Sequence, residues 1–377
     1  MKTDNTPNLS EKDIIDSAFT DLLQSSVEKS LSQKKEYDKY FSECKSRLDK
    51  IAKPLDGLGE FESVLCKIAG ASQNANISLK KKGLIVMCAD NGVVRNNISQ
   101  SDSSTTLNIV RSLVKGTSSV NLMADKTKTD TFIVDIGLNQ KVDGTINRAV
   151  KRGTNDILTG PAMTYDEAVS AIQVGIDMVK ELTGKGYNII ATGEAGIGNT
   201  TTSSALCSVL TKLPVKDVTG RGAGLDDKRL SNKIRVIEES IRINNLNDYD
   251  INHPSRVISL ISRIGGFDIA GITGIFLAAP LYKVPIVMDG VISCVGALLA
   301  CKINPIVNDY IIPSHMSNEI AMKSMCEMMN LHPILDGKLH IGEGTGAVLM
   351  LSLLDVVLNV YKNAAHFNDI EVEQYVR

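Results

Sequence analysis

Apolar residues near the start of the chain recur at the spacing of a helix. Between Glu11 and Lys53 they include Ile14, Phe19 and Leu23, set among many charged residues. This pattern is typical of amphipathic helices. It predicts a helical arm over residues 1–52.

After the turn Lys53–Gly59, short apolar runs alternate with longer helical stretches. Strands that are covered by helices on both faces read as nearly continuous apolar runs. Alternation of such strands with helices is typical of parallel β/α units. We therefore predict an α/β fold over residues 53–346, and a C-terminal helix over residues 347–377 that packs with the helical arm as a small domain. The four candidate strands are Gly83–Asp90, Thr131–Asp135, Asn188–Thr192 and Val284–Asp289.

A polar or glycine-rich turn follows each candidate strand. In open α/β sheets the carboxyl ends of the strands form the ligand crevice, so these turns should converge on one site. The turn Gly193–Thr201 follows a strand and opens a helix. Its backbone N–H groups and the positive helix end are suited to a phosphate group. The alternative is a tight turn with an ordinary helix N-cap.

The glycines of this turn match neither of two familiar nucleotide motifs. Their order is not the G-x-G-x-x-G dinucleotide fingerprint, and no G-K-[ST] ending marks a nucleoside-triphosphate loop. Downstream, the glycine-rich segment Gly220–Gly224 leads into a predicted helix that carries Lys233. Lys233 is a candidate cation for the same phosphate, or alternatively an ordinary solvated lysine.

Glu343 is the best candidate for a catalytic residue. It stands between Gly342 and Gly344 just before a long apolar helix, and flanking glycines let a ligand or backbone come close. The alternative is an acid that interacts with the helix dipole. Second-ranked rivals are Glu194, Asp90, Asp135 and Asp289, which could orient a ribose hydroxyl or stabilise positive charge.

Composition narrows the choice of function. The chain has 41 Lys plus Arg against 43 Asp plus Glu, which argues against a nucleic-acid partner. Seven scattered cysteines with no C-x-x-C pair favour reduced thiols and a cytoplasmic location. Met1–Ser10 lacks the apolar core of a signal peptide, and no apolar run predicts a membrane span.

The histidines and serines offer no metal or hydrolase motif. No pair among the five histidines has metal-ligand spacing, and no G-x-S-x-G elbow is present. We therefore expect neither a metal site nor a cofactor.

Several motifs together resemble one enzyme family. Gly193–Thr201, which reads GEAGIGNTT, resembles the GEMGIGNTT motif of nicotinate-nucleotide:dimethylbenzimidazole phosphoribosyltransferases. Further blocks follow in the family's order from about Lys53 to the C-terminus, so chance is a poor explanation. They are Ala89–Val94, Gly160–Thr164, Gly265–Ala270, Pro285–Gly290, Ser314–His315 and Gly342–Gly346.

The resemblance implies a Rossmann-like, mostly parallel sheet with helices on both faces, a small helical domain built from both termini, and a homodimer. It also implies transfer of phosphoribose from nicotinate mononucleotide to an aromatic base in cobalamin assembly. Glu343 would then be the general base, and Ser99 and Asp90 would contact the base. The implied phosphate and nucleotide contacts are Glu194, Gly196, Ile197, Gly198, Asn199, Thr200, Lys233 and Asp289.

Two departures from the family pattern concern the base pocket. The base-side loop Arg95–Thr106 keeps only part of the usual pattern, and Ala195 replaces the methionine of the motif. The alternatives are therefore another base, such as adenine or a phenol, and a partner-dependent or non-catalytic paralogue. A third alternative is a nicotinamide-dinucleotide oxidoreductase, which rests on fold analogy alone.

Overall fold

The computed structural model describes residues 34–376. Six strands carry the fold: β1 Lys82–Ala89, β2 Thr129–Gly137, β3 Ile146–Asn147, β4 Ile189–Ala195, β5 Ile286–Met288 and β6 Ile311–Pro313. The helices are α1 34–48, α2 Glu60–Ser72, α3 Ser103–Val114, α4 Ser119–Thr127, α5 Tyr165–Gly184, α6 Asn199–Thr211, α7 Val215–Val218, α8 Asp227–Ile243, α9 Pro254–Ile264, α10 Phe267–Tyr282, α11 Val291–Ile303, α12 Ala321–Met328 and α13 Thr345–Asn363.

The strands form one parallel sheet in the order β3-β2-β1-β4-β5-β6. This is the order of a doubly wound Rossmann-type sheet. The strand order reverses at β1 and β4, and a ligand crevice is expected outside the carboxyl ends of these strands. The predicted α/β class and parallel sheet are confirmed.

Helices cover both faces of the sheet. Ile85 and Met87 of β1 join one hydrophobic cluster with α5 and α10. Leu84 and Val86 point into a second cluster with α2 and α13. Because alternate residues enter two cores, every position of β1 is buried, which explains its unbroken apolar run.

Both ends of the described chain pack into the second cluster. Leu48 of α1 and Leu351 of α13 belong to it, and an antiparallel bridge joins Ile51 to His366. α13 ends at Asn363, and only a short 3-10 turn, Phe367–Asp369, follows. Residues 1–33 and 377 of the predicted terminal segments lie outside the described residues, and the division at residues 52 and 346 stays a prediction.

Within the described residues, α13 alone is long and apolar enough to cross a membrane. Met350, Leu351 and Leu354 on this helix are fully buried in the second cluster. A core helix of a globular protein has these same properties.

Candidate active site

A cavity lies at the carboxyl edge of β4 and β5. All the predicted site residues except Asp90 line it: Ser99, Glu194, Gly196, Ile197, Gly198, Asn199, Thr200, Lys233, Asp289 and Glu343. Of the four strand-end turns predicted to converge, those after β4 and β5 meet at this cavity, whereas residues 90–92 and 135–137 do not line it.

The predicted anion cup consists of residues 196–200 and Lys233. β4 continues to Ala195, three residues beyond the predicted strand end at Thr192, and α6 begins at Asn199 within the predicted turn. Gly198 has φ 97°, a left-handed conformation that favours glycine. Among the described residues no side chain caps the start of α6. Its positive end is therefore available to an anion.

Lys233 is buried beneath the cup. Its Nζ donates to Thr200 Oγ1 at 3.0 Å and to the Gly220 carbonyl at 3.1 Å. Burial lowers the pKa of Lys233 to about 8, while Glu319 acts in the opposite direction. An arriving phosphate dianion would favour the charged ammonium, so binding and protonation of Lys233 reinforce each other.

Glu194 lies at the end of β4, and its carboxyl group accepts a hydrogen bond from Asn199 Nδ2. Burial, together with the nearby carboxylates of Asp268 and Asp289, raises the pKa of Glu194 to about 8. Glu194 is therefore mostly protonated at neutral pH. In this state it adds no negative charge to a cavity that is suited to an anion.

Glu343 lies in a strained turn, the Glu343 loop, formed by residues 342–344. Their φ values are 78°, 62° and 96°, so a glutamate adopts a backbone conformation that L-residues rarely take. Such strain persists only where the surroundings enforce it. At Gly193, a Cβ would collide with the Glu343 carbonyl group. The loop therefore lies directly against β4.

The Glu343 carboxyl group is half-buried beside the N-terminus of α4. Burial raises its pKa, while hydrogen bonds from Ser118 and the Val120 backbone act in the opposite direction. Its Oε2 is buried without a hydrogen-bond partner in the described part of the chain. An unpaired oxygen on a partly desolvated carboxylate is well suited to accept a proton.

Asp289 follows β5 and acts on the Glu343 loop through the backbone. Its two carboxyl oxygens accept hydrogen bonds from the N–H groups of Gly344, at 3.1 Å, and Ala347, at 3.0 Å. These N–H groups belong to the start of α13, so Asp289 caps that helix from another strand. Burial raises the pKa of Asp289, and its hydrogen bonds and His315 lower it.

The two predicted base contacts have different positions. Ser99 lines the cavity. Asp90 is buried behind it, where its Oδ2 accepts a hydrogen bond from the Asn139 N–H at 2.8 Å. The rival Asp135 is also buried and pairs with Arg152 at 2.8 Å. In this conformation Asp90 and Asp135 support the loops rather than face the cavity.

Several residues that line the cavity were not predicted as site residues from the sequence. His315 lies 4.0 Å from Asp289, and burial lowers its pKa. Arg221, Ser293, Ser317 and Glu319 also line the cavity. His315 follows β6, a strand of three residues that has too few positions for a recognisable pattern.

One group of acidic side chains in residues 34–376 is close enough to share a metal ion: Asp49, Asp56 and Glu62. Lys45 and Lys53 form ion pairs with this group. None of the three carboxylates lines the cavity. A metal ion held by these three residues would therefore lie outside the cavity.

The chain resembles proteins of one family over most of its length. The model of a phosphoribosyltransferase family matches residues 34–372. A nicotinate-nucleotide–dimethylbenzimidazole phosphoribosyltransferase from Clostridium acetobutylicum is 42% identical over 340 residues, which cover 90% of this chain and 95% of the relative. The enzyme of the same name from Acetivibrio thermocellus is 44% identical over 87% of this chain and 93% of its own.

Solved structures agree with the sequence relatives. The crystal structure of CobT from Thermus thermophilus superposes with a TM-score of 0.82 at 30% identity, covering 89% of this chain and 100% of that one. The family match spans the sheet, the cavity and the Glu343 loop alike. The chain therefore belongs to the nicotinate-nucleotide–dimethylbenzimidazole phosphoribosyltransferase family.

Proposed function

We propose that the protein transfers the 5-phosphoribosyl group of nicotinate mononucleotide to a lower-ligand base, with 5,6-dimethylbenzimidazole as the first candidate. The products are nicotinate and an α-ribazole 5′-phosphate-type nucleotide for cobalamin assembly. One observation carries the proposal: the Glu343 carboxylate and the anion cup line the same cavity. Family membership supplies the substrate class.

The residues of the cavity have separable tasks in this reaction. The start of α6, Thr200 and Lys233 hold the 5′-phosphate and so fix the ribose. One nitrogen of the base attacks C1′ of the ribose while the bond from C1′ to the pyridinium nitrogen breaks. The electron pair of that bond returns to the ring, which leaves as nicotinate. Glu343 accepts the proton from the other nitrogen of the base.

The charges of the cavity residues favour these reaction steps. Glu194 is protonated at neutral pH because its pKa is about 8, so it does not repel the phosphate. Burial raises the pKa of Glu343 above its ordinary value, which makes its carboxylate a stronger base. Positive charge on the reacting sugar is stabilised by the nearby carboxylates of Glu343 and Asp289.

A panel assay tests the function directly. Purified protein and nicotinate mononucleotide are incubated with dimethylbenzimidazole, benzimidazole, adenine or a phenol, and both products are followed by chromatography. Formation of nicotinate and ribotide in equal amounts from at least one base supports the proposal. The base that reacts fastest identifies the preferred lower ligand. A folded protein that releases no nicotinate with any base would contradict it.

We also propose that the protein acts as a homodimer in the cytoplasm. All seven cysteines are free thiols, which suits a reducing compartment. Leu122 of α4 and Val356 of α13 expose 62% and 63% of their surface, and these two helices pack against each other. A second copy would cover such apolar side chains. Light scattering on the active protein, with Val356→Glu as the disrupting variant, tests the assembly.

A further inference from the structure

A second concave surface lies on the outer side of the base-side loop. It is a groove of about 700 Å³ between residues 95–97 and α8, a size within the range of small-molecule sites. Its walls carry four cations, which are Arg95, Lys228, Arg229 and Arg235. We call it the basic groove.

Among the described residues, no carboxylate lies within ion-pair distance of the four cations of the basic groove, although Glu239 interacts with Arg235 at longer range. Within the described residues, none of them forms an ion pair with a carboxylate, whereas the nearby Arg221 and Arg242 do so with Asp227 and Glu239. The groove has a single acidic side chain, Asp226. Its carboxylate accepts a hydrogen bond from the backbone N–H of Arg229 at 2.8 Å and so serves as the N-cap of α8.

This concentration of positive charge stands out because the whole chain has a formal net charge of −2. Like charges that crowd into a concave surface repel one another unless an anion joins them. Three of the four are arginines, whose planar guanidinium groups bind phosphate oxygens in pairs. The groove therefore has the chemistry of a phosphate-binding site.

The basic groove and the active-site cavity share two walls. Asn232 Nδ2 donates to the Asn96 carbonyl at 2.8 Å, which ties α8 to the base-side loop. Beyond this tie, Lys233 is the next residue of α8 and belongs to the anion cup, while Ser99 faces the cavity from the loop. A ligand that joins Arg95 to Arg229 would draw the same two walls together.

We propose that the basic groove binds a small anion with two or more phosphate groups and that the bound anion tightens the base-side wall of the active site. Four cations against one carboxylate exceed what a single phosphate can neutralise, which favours an oligophosphate. Binding of the anion to the basic groove does not depend on the proposed function. The effect of the bound anion on the base-side wall of the active site rests on the proposed function.

Calorimetry with inorganic pyrophosphate tests the site without turnover. Since the anion cup also attracts phosphate, the titration uses Lys233→Met, which removes the cation of the cup. The double substitution Arg229→Gln and Arg235→Gln is then added. Lys126→Gln with Lys180→Gln is the matched control, because it removes two exposed positive charges elsewhere. If Lys233→Met fails to fold, the same titration is made with wild-type protein in which nicotinate mononucleotide fills the anion cup.

We expect one pyrophosphate site in Lys233→Met, at least about tenfold weaker after loss of the two arginines and unchanged in the control pair. Equal affinity for inorganic phosphate would overturn the oligophosphate assignment, and unchanged affinity without the arginines would overturn the site. At saturating nicotinate mononucleotide, pyrophosphate should lower the KM for the base about fivefold. An unchanged KM would refute the coupling between groove and cavity.

Discussion

Asp289 accepts a hydrogen bond from the N–H of Gly344 at 3.1 Å, so the end of β5 holds the residue next to the proposed base. In Asp289→Asn, the amide would place a donor against a backbone N–H group in a buried site. We expect a loss of about 2 kcal/mol in the free energy of unfolding, with a lower kcat. Chemical denaturation and nicotinate release measure the two effects.

The control for Asp289→Asn is Asp226→Asn. Asp226 is an exposed N-cap of α8, and asparagine caps helices about as well as aspartate. This variant should retain full stability. If Asp289→Asn were equally stable and active, the support that Asp289 gives to the Glu343 loop would be unnecessary.

Glu343→Gln removes the proton acceptor but keeps the size of the side chain. We expect kcat to fall by about 10²- to 10⁴-fold, while the melting temperature changes little. The exposed Glu239 on α8 supplies the control Glu239→Gln, which should turn over normally. Full activity of Glu343→Gln in the chromatographic assay would exclude Glu343 as the base.

Lys233→Met separates binding of the phosphate from stability of the fold. Loss of the ammonium group should raise the KM for nicotinate mononucleotide by about tenfold or more. Replacement of a buried charge by an apolar side chain should leave the melting temperature unchanged or raise it. Lys216→Met, at an exposed position, should leave KM unchanged. An unaltered KM in Lys233→Met would remove this lysine from the anion cup.

The raised pKa of Glu194 should make the free energy of unfolding depend on pH. Its pKa is about 8 in the folded protein against an ordinary value of 4.5, so between these values the folded state holds a proton that the unfolded state has lost. Stability from Glu194 is therefore present at low pH and is lost as pH rises through about 8. The melting temperature should fall between about pH 6.5 and 8.

Glu194→Gln should flatten this slope. The window lies above the pKa of Asp268, which burial raises to about 6, so Asp268 contributes little there. The pKa of Lys233, about 8, affects stability mainly above the window. A slope that is as steep in Glu194→Gln as in the wild type would mean that Glu194 is already ionised in the folded protein.

Gly193→Ala tests the contact between β4 and the Glu343 loop. The new methyl group would collide with the Glu343 carbonyl group, so the loop must move. We expect kcat to fall about tenfold or more, because small displacements of a reacting group are costly. Gly184→Ala is the control, since a Cβ there has no neighbour within 4 Å. A normal kcat in Gly193→Ala would show that the loop adapts freely.

The sequence predicts the strands that lie in a longer apolar run and misses those that do not. β5 has only three residues, but it is found because the buried run 284–289 extends beyond it. β1 is buried at all eight positions and is found from its apolar run. β3 has two residues, one half-buried and one exposed, and β6 has three. Without a longer apolar run around them, β3 and β6 have too few residues for a recognisable pattern, and they form because they pair with the edges of the sheet.

The candidate site divides in the same way. Gly193–Thr201 and the Glu343 loop are local motifs, and residues 194–200, Gly342 and Glu343 of these motifs line the cavity. The position of Asp90 behind the cavity depends on Asn139, 49 residues away in the chain. The cap that Asp289 provides to α13 joins residues 55 apart. Such contacts have no local pattern, so they require the assembled fold.

The antiparallel bridge between Ile51 and His366 has a consequence for biosynthesis. α1 is among the first helices to leave the ribosome, but α13 and His366, which pack with it, leave last. During most of translation α1 can pack on α2, where Cys44 meets Cys66, but not on α13, so the side of α1 that faces α13 stays open to chaperones and proteases. Synthesis of α13 and His366 is therefore the event that completes the contacts of α1.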